Sequence, residues 1–115
     1  MTYKQMVRII NTAGAGFTGV LMGEFLVRYP EYQADTANRI AFIQYIHQEY
    51  GVNLDYTYDT TKTKCYALMS IIESRKVPDA LEYIVQCNEQ RIGKEPIEAA
   101  MKLADAIILN KIRLP

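Results

Sequence analysis

Tryptophan is absent from this chain, histidine occurs once and cysteine twice, and neither sign of charge prevails: 13 Lys and Arg balance 13 Asp and Glu. Each shortage sets aside a class of protein. A dedicated duplex-DNA binder carries a basic excess or a basic face, and the balanced charge argues against one. Cys65 and Cys87 stand 22 positions apart, with no C-x-x-C pair and no histidine beside either. Neither a zinc site nor a disulfide framework is written there. They read as two reduced, mostly buried thiols. The acidic residues are scattered, without D-x-D or E-x-x-H spacing, and no metal site is expected. Long apolar runs are also missing. The longest, residues 13–27, is interrupted by Glu24 and falls short of the ~20 residues of a membrane span. With no secretory signal either, the expectation is a cytoplasmic protein with no membrane partner.

What is present is globular in proportion: 50% hydrophobic and 23% charged residues. The length suits one domain, residues 1–115, with a core that needs no metal or disulfide. Helical periodicity dominates. Met6, Val7 and Ile10 share one face. A second helix runs from the glycine-rich stretch to about Arg28, where Pro30 stops it. Asp35 or Thr36 caps a third, with Ile40, Ile43, Ile46, His47 and Tyr50 on one side and Gly51 at its end. Asp59, Thr60 or Thr61 caps a fourth, whose stripe is Cys65, Leu68, Met69 and Ile72. Pro78 opens a fifth with Leu81, Ile84, Val85 and Asn88 on one face, closed by Gly93. Pro96 opens the last, with Ile97, Ala100, Met101, Ala104 and Ile108 inward. Short connections imply antiparallel packing. The fold expected is all-α, a compact bundle of five or six short helices.

Residues 14–19, GAGFTG, fit the dinucleotide-binding pattern G-x-G-x-x-G, and Asp35 stands 21 positions past Gly14 where a ribose-binding acid belongs. The pattern needs a buried parallel strand ending at the first glycine. The preceding QMVRII holds Arg8, and Asn11, Thr12 and Ala13 intervene. No further strands follow. The glycines are therefore structural: on a helix, Gly16, Gly19 and Gly23 share a face that another backbone can approach. No cofactor is expected.

The only histidine, His47, has no nucleophile placed beside it by spacing, and only Glu24 or Glu49 could serve it as a carboxylate. No catalytic residue is assigned, and the chain reads as a non-enzyme. The nine tyrosines are more telling, because tyrosine suits surfaces that become buried while the hydroxyl stays wet. Their densest run, DYTYDTTKTK (residues 55–64), breaks the helical period and reads as an extended loop. There Tyr56 and Tyr58 alternate to opposite sides beside Lys62 and Lys64. The SRKVPDA turn, with Arg75 and Lys76, resembles helix-turn-helix spacing, but Asp79 and Glu82 open its second helix. Tyr56, Tyr58, Lys62, Lys64, Arg75 and Lys76 are the candidate binding surface. The function expected is a small regulatory, inhibitory or accessory-subunit protein that binds another protein, itself included. Chains of this kind are common among bacterial and phage regulators. The alternative is a nucleic-acid-binding module in which those tyrosines stack bases and those cations meet phosphates.

Overall fold

The computed structural model describes residues 1–115; it is 77% helical and contains no strand. Seven helices follow in order: α1 (Tyr3–Ala13), α2 (Ala15–Tyr32), α3 (Thr36–Ile46), α4 (Tyr58–Glu73), α5 (Val77–Val85), the single-turn α6 (Glu89–Ile92) and α7 (Lys94–Ile108). A π-helical turn, His47–Gly51, prolongs α3. The all-α bundle expected from periodicity is observed, with seven helices where five or six were expected, because the fifth breaks into α5 and α6, and with α2 and α7 parallel where antiparallel packing was expected. No single helix is long and apolar enough to cross a membrane.

Local chemistry sets the boundaries. At the start of α1, Thr2 Oγ1 accepts from the Gln5 N–H (3.1 Å) and Gln5 Oε1 accepts from the Thr2 N–H (2.8 Å), a complete capping box. Met6, Ile10 and Ala13 form the buried face. Gly14 then takes φ +98°, a conformation that side chains disfavour, and the chain turns by 100° into α2. GAGFTG thus straddles a corner between two helices, and no strand precedes it.

The centre of the molecule is the crossing of α2 with α7. Gly16 lies against Pro96 Cγ and the Ile92 carbonyl, Gly19 against the Pro96 carbonyl, and Gly23 against Leu103. The contacts advance along both helices together, so the two run parallel. α5 runs the other way along α7. Its Ile84 meets Gly19 beside Pro96, and its Pro78 lies by Ile107 and Ile108. One continuous core results, in which Met6, Met22, Phe25, Ile46, Leu68 and Ile84 are fully buried.

Several boundaries differ from those read in the sequence. α2 continues through Pro30 to Tyr32. Proline removes one hydrogen bond there, but Tyr32 draws the last turn inward. Its ring is buried and stacks on Phe42 (centroids 4.9 Å apart), and its hydroxyl donates to the Phe25 carbonyl at 3.2 Å. Burial pushes the Tyr32 phenol well above its ordinary pKa, and nearby Tyr29 adds to the shift. α4 begins earlier than expected, at Tyr58, because Thr57 rather than Asp59, Thr60 or Thr61 caps it, its side chain accepting from the Thr60 N–H at 3.2 Å. Tyr58 is therefore helical and does not alternate with Tyr56 in an extended segment. The helix that opens at Pro78 breaks after Val85, and Asn88 caps α6 instead of continuing the inward face. In α7 the buried residues are Pro96, Ala100 and Leu103; Met101 and Ile108, read as inward, are 51% and 76% exposed. The inward face is rotated because α2 and α5 grip α7 from two sides.

A Cβ on Gly19 would stand 2.8 Å from the Pro96 carbonyl oxygen, whereas one on Gly23 would meet only Leu103, at 3.8 Å. Gly19→Ala should therefore lose about 1–3 kcal/mol of stability by overpacking, and Gly19→Leu more. Gly23→Ala should be neutral or gain up to about 1 kcal/mol from helix propensity. Urea unfolding of the three variants checks this. Equal effects at positions 19 and 23 would contradict the crossing described.

Candidate functional site

The π-helical turn after α3 is built around Gly51. The Val52 N–H reaches the His47 carbonyl at 2.9 Å, five residues back, which widens the turn. A side chain at position 51 would collide with Thr61 Oγ1 and His47 Nδ1. Those two atoms are themselves joined at 2.8 Å. Glycine is present here for space: its backbone takes no left-handed angle. Tyr58 presents its ring edge-on to His47, centroids 5.6 Å apart. Thr61 is completely buried and His47 half-buried. A hydroxyl sealed in this way cannot reach a substrate, so the His47–Thr61 bond fastens the turn to α4.

Beside this turn lies an open cleft of about 510 Å³. Its walls come from three distant parts of the chain: Phe17 at the start of α2, Tyr50, Leu54 and Tyr56 around the turn, and Ile92 and Pro96 at the α6–α7 junction. Glu49, Asn53, Lys94 and Glu95 supply polar groups. Leu54 is 53% exposed, a large aliphatic side chain held at the mouth.

Lys64 braces one wall. Its Nζ donates to the Ala13 carbonyl at 2.6 Å and sits 4.9 Å from the Tyr56 ring centre and 5.8 Å from that of Phe17. The ammonium thus satisfies a carbonyl at the C-terminal end of α1 and faces two aromatic rings. Burial lowers its pKa. In the turn itself, burial raises the pKa of the Tyr50 phenol, and the negative charges of Glu24 and Glu49 reinforce the shift. Tyr45, outside the cleft, is raised by the neighbouring Glu24 carboxylate. Both tyrosines stay protonated and can donate hydrogen bonds.

The six residues chosen from the sequence meet different fates. Tyr56 and Lys64 come together at the cleft. Tyr58 and Lys62 are exposed on the first turns of α4. Arg75 and Lys76 lie beyond the far end of that helix, about 20 Å from Lys62 along its axis. Lys76 faces Asp79 at 3.5 Å. No single basic patch unites the four cations. Phe17, Tyr50, Leu54, Ile92 and Pro96 were not singled out; Leu54, an aliphatic residue in the same irregular segment as Tyr56, was the one available signal. The cysteines also divide. Cys65 is fully buried, and burial pushes its thiol up to about 12. Cys87 is only half-buried, with Arg91 Nη2 at 3.6 Å from its sulfur.

Fold and site together define an all-helical protein with an open apolar recess assembled from three segments. The chain matches no protein-family model, no curated protein and no solved structure.

Two outcomes follow from these surroundings. Gly51→Ala should destabilise by about 1–3 kcal/mol, because both partners of the His47–Thr61 bond must move. A two-dimensional NMR spectrum of the variant should show the largest shifts at Thr61 and Tyr58. In native protein at neutral pH, a thiol reagent should modify Cys87 well before Cys65, since the thiolate is the reactive form. Peptide mass mapping after brief labelling reads the order; preferential modification of Cys65 would place it at the surface.

Proposed function

We propose that this protein is a small non-enzymatic interaction protein, regulatory, inhibitory or accessory in kind, and that its cleft receives an apolar side chain of a protein partner. The observation that carries this reading is the recess itself. Phe17, Tyr50, Tyr56, Ile92 and Pro96 form an apolar floor, with Leu54 exposed at the mouth and Glu49, Lys94 and Glu95 around it. An apolar centre with a polar rim is the usual anatomy of a protein-binding patch. Tyrosines buried on one side and wet at the hydroxyl are frequent anchors there. Lys64 and Phe17 hold Tyr56 from behind, which limits the ordering cost of binding.

The nucleic-acid reading draws less support from this geometry. Lys64 is engaged with Ala13, Lys76 faces Asp79, and Arg75 stands at the other end of α4. A phosphate backbone needs several cations along one track.

Affinity capture from the native host with wild type, Leu54→Asp and Tyr58→Ala as baits tests the proposal. A partner of the cleft should be retained by wild type and by Tyr58→Ala. It should be lost from Leu54→Asp, which puts a charge into the apolar mouth. With that partner purified, Tyr56→Ala should weaken binding by about 2 kcal/mol, roughly 30-fold. Retention of every captured protein by Leu54→Asp would refute the reading. Tight binding of mixed-sequence RNA or DNA that falls steeply with salt would replace it with the nucleic-acid alternative.

A further inference from the structure

Of the seven exposed valine, isoleucine and leucine residues, Val27 and Ile40 stand alone and the other five fall in two sets, each beside a stretch of one sign of charge. Around the cleft mouth, Val52 and Leu54 are 59% and 53% exposed and Tyr58 is 37% exposed. Between Glu49 and Asp59 the chain holds three carboxylates (Glu49, Asp55, Asp59) and no base. Three cations stand near it: Lys64, turned inward to the Ala13 carbonyl behind Tyr56, Lys62, one turn along α4, and Lys94, across the cleft. A second set surrounds the end of α7. Ile108 and Leu109 are 76% and 63% exposed, and Leu114 is 37% exposed. Leu114 lies beside Arg75 in one surface recess and beside Arg113 in another. From Leu109 to Pro115 there are two bases, Lys111 and Arg113, and no acid. Acids stand around this stretch but not in it: Asp105 one turn before it, Glu82 beside Ile107 and Ile108, Glu73 at the end of α4, and Asp79 facing Lys76.

The two sets lie at opposite ends of the molecule. α4 begins at Tyr58 near the cleft and ends just before Arg75, and α7 begins at the cleft with Lys94 and ends at Ile108. Each of these helices spans more than 20 Å. Each end carries both signs of charge, but the exposed segment at the cleft end (49–59) is acidic and the one at the other end (109–115) is basic, and each bears uncovered aliphatic side chains of similar number. Charge placed at helix termini accounts for part of the pattern. It does not account for leaving Ile108, Leu109, Val52 and Leu54 in water beside those charges.

We infer that the partner seated at the cleft mouth is a second copy of this chain, docked head to tail. The acidic turn of one copy meets the basic end of the next, and their aliphatic residues cover one another. The inference rests on the interaction reading above and names its partner. Because the two surfaces differ, the contact is heterologous, and repetition gives a closed ring or a growing row rather than a two-fold dimer.

Sedimentation of the purified full chain at about 100 µM, in about 50 mM and about 500 mM salt, tests this. At low salt the mass-average should exceed the 13.2 kDa monomer, rise with concentration and fall toward the monomer at high salt. Glu49→Lys with Asp59→Lys leaves both ends basic, and Lys111→Glu with Arg113→Glu leaves both ends acidic. Each variant alone, its fold checked by circular dichroism, should be monomeric. Their equimolar mixture should associate again, which a misfolded variant could not do. A monomeric wild type at low salt overturns the inference and leaves the cleft free for a different partner. Self-association that persists unchanged in both charge variants also overturns it, by placing the contact elsewhere. Self-association that is reversed by the charge variants but ignores Leu54→Asp keeps the head-to-tail contact and sinks the cleft reading.

Discussion

The approach of two backbones at Gly19 and Pro96 is the constraint on which the rest of the architecture depends. A side chain at position 19 would have to occupy the space of the Pro96 carbonyl. Its absence lets α2 and α7 lie close enough for Gly16, Gly19 and Gly23 to form one smooth contact strip. Helical glycines are costly in isolation, and the packing of Pro96, Ile84 and Leu103 onto that strip offsets the cost. With α2 and α7 parallel, both begin at the same end of the protein. The cleft is the space left between those two beginnings and the turn that follows α3.

Helix direction also organises the charges. α2, α4 and α7 all start near the cleft, so their positive dipole ends collect there. Asp59 and Glu95 occupy the first turns of α4 and α7. Arg75 and Lys76 follow the end of α4, and Lys111 and Arg113 the end of α7. Lys94 at the start of α7 and Glu73 at the end of α4 run against this trend, so zero net charge conceals a local segregation only, acidic over residues 49–59 and basic over 109–115. Composition records only the sum of the charges, and their arrangement appears once helix directions are known.

The sequence disclosed the elements better than their faces. The stripe Cys65, Leu68, Met69 and Ile72 is buried as its spacing implies, because α4 is covered mainly on one side. α7 is gripped by both α2 and α5, and its period alone could not say which flank would stay bare; hence Met101 and Ile108 turned outward. Tyr58 was misread because β-like alternation over three residues resembles the first turn of a helix with an exposed N-terminus. Thr57, the actual cap, sits between two tyrosines and gave no contrast. Of the cleft, the sequence offered Tyr56 and Lys64. The other walls come from segments near positions 17 and 94, and no local pattern joins them. Their union is a consequence of the Gly19–Pro96 crossing, which depends on tertiary packing.

That crossing joins residues 77 positions apart, which gives the cleft a place in time. Contacts of such sequence separation form late, after local helices and near neighbours. A ribosome-bound chain that has not yet emitted Pro96 holds a finished α2 with nothing against its glycine strip. Leu21, Met22, Phe25 and Leu26, buried in the finished protein, belong to that helix. The recess and the covering of the glycine face of this long apolar helix are therefore completed by the same event. Until then the nascent chain exposes a surface suited to chaperones or to aggregation.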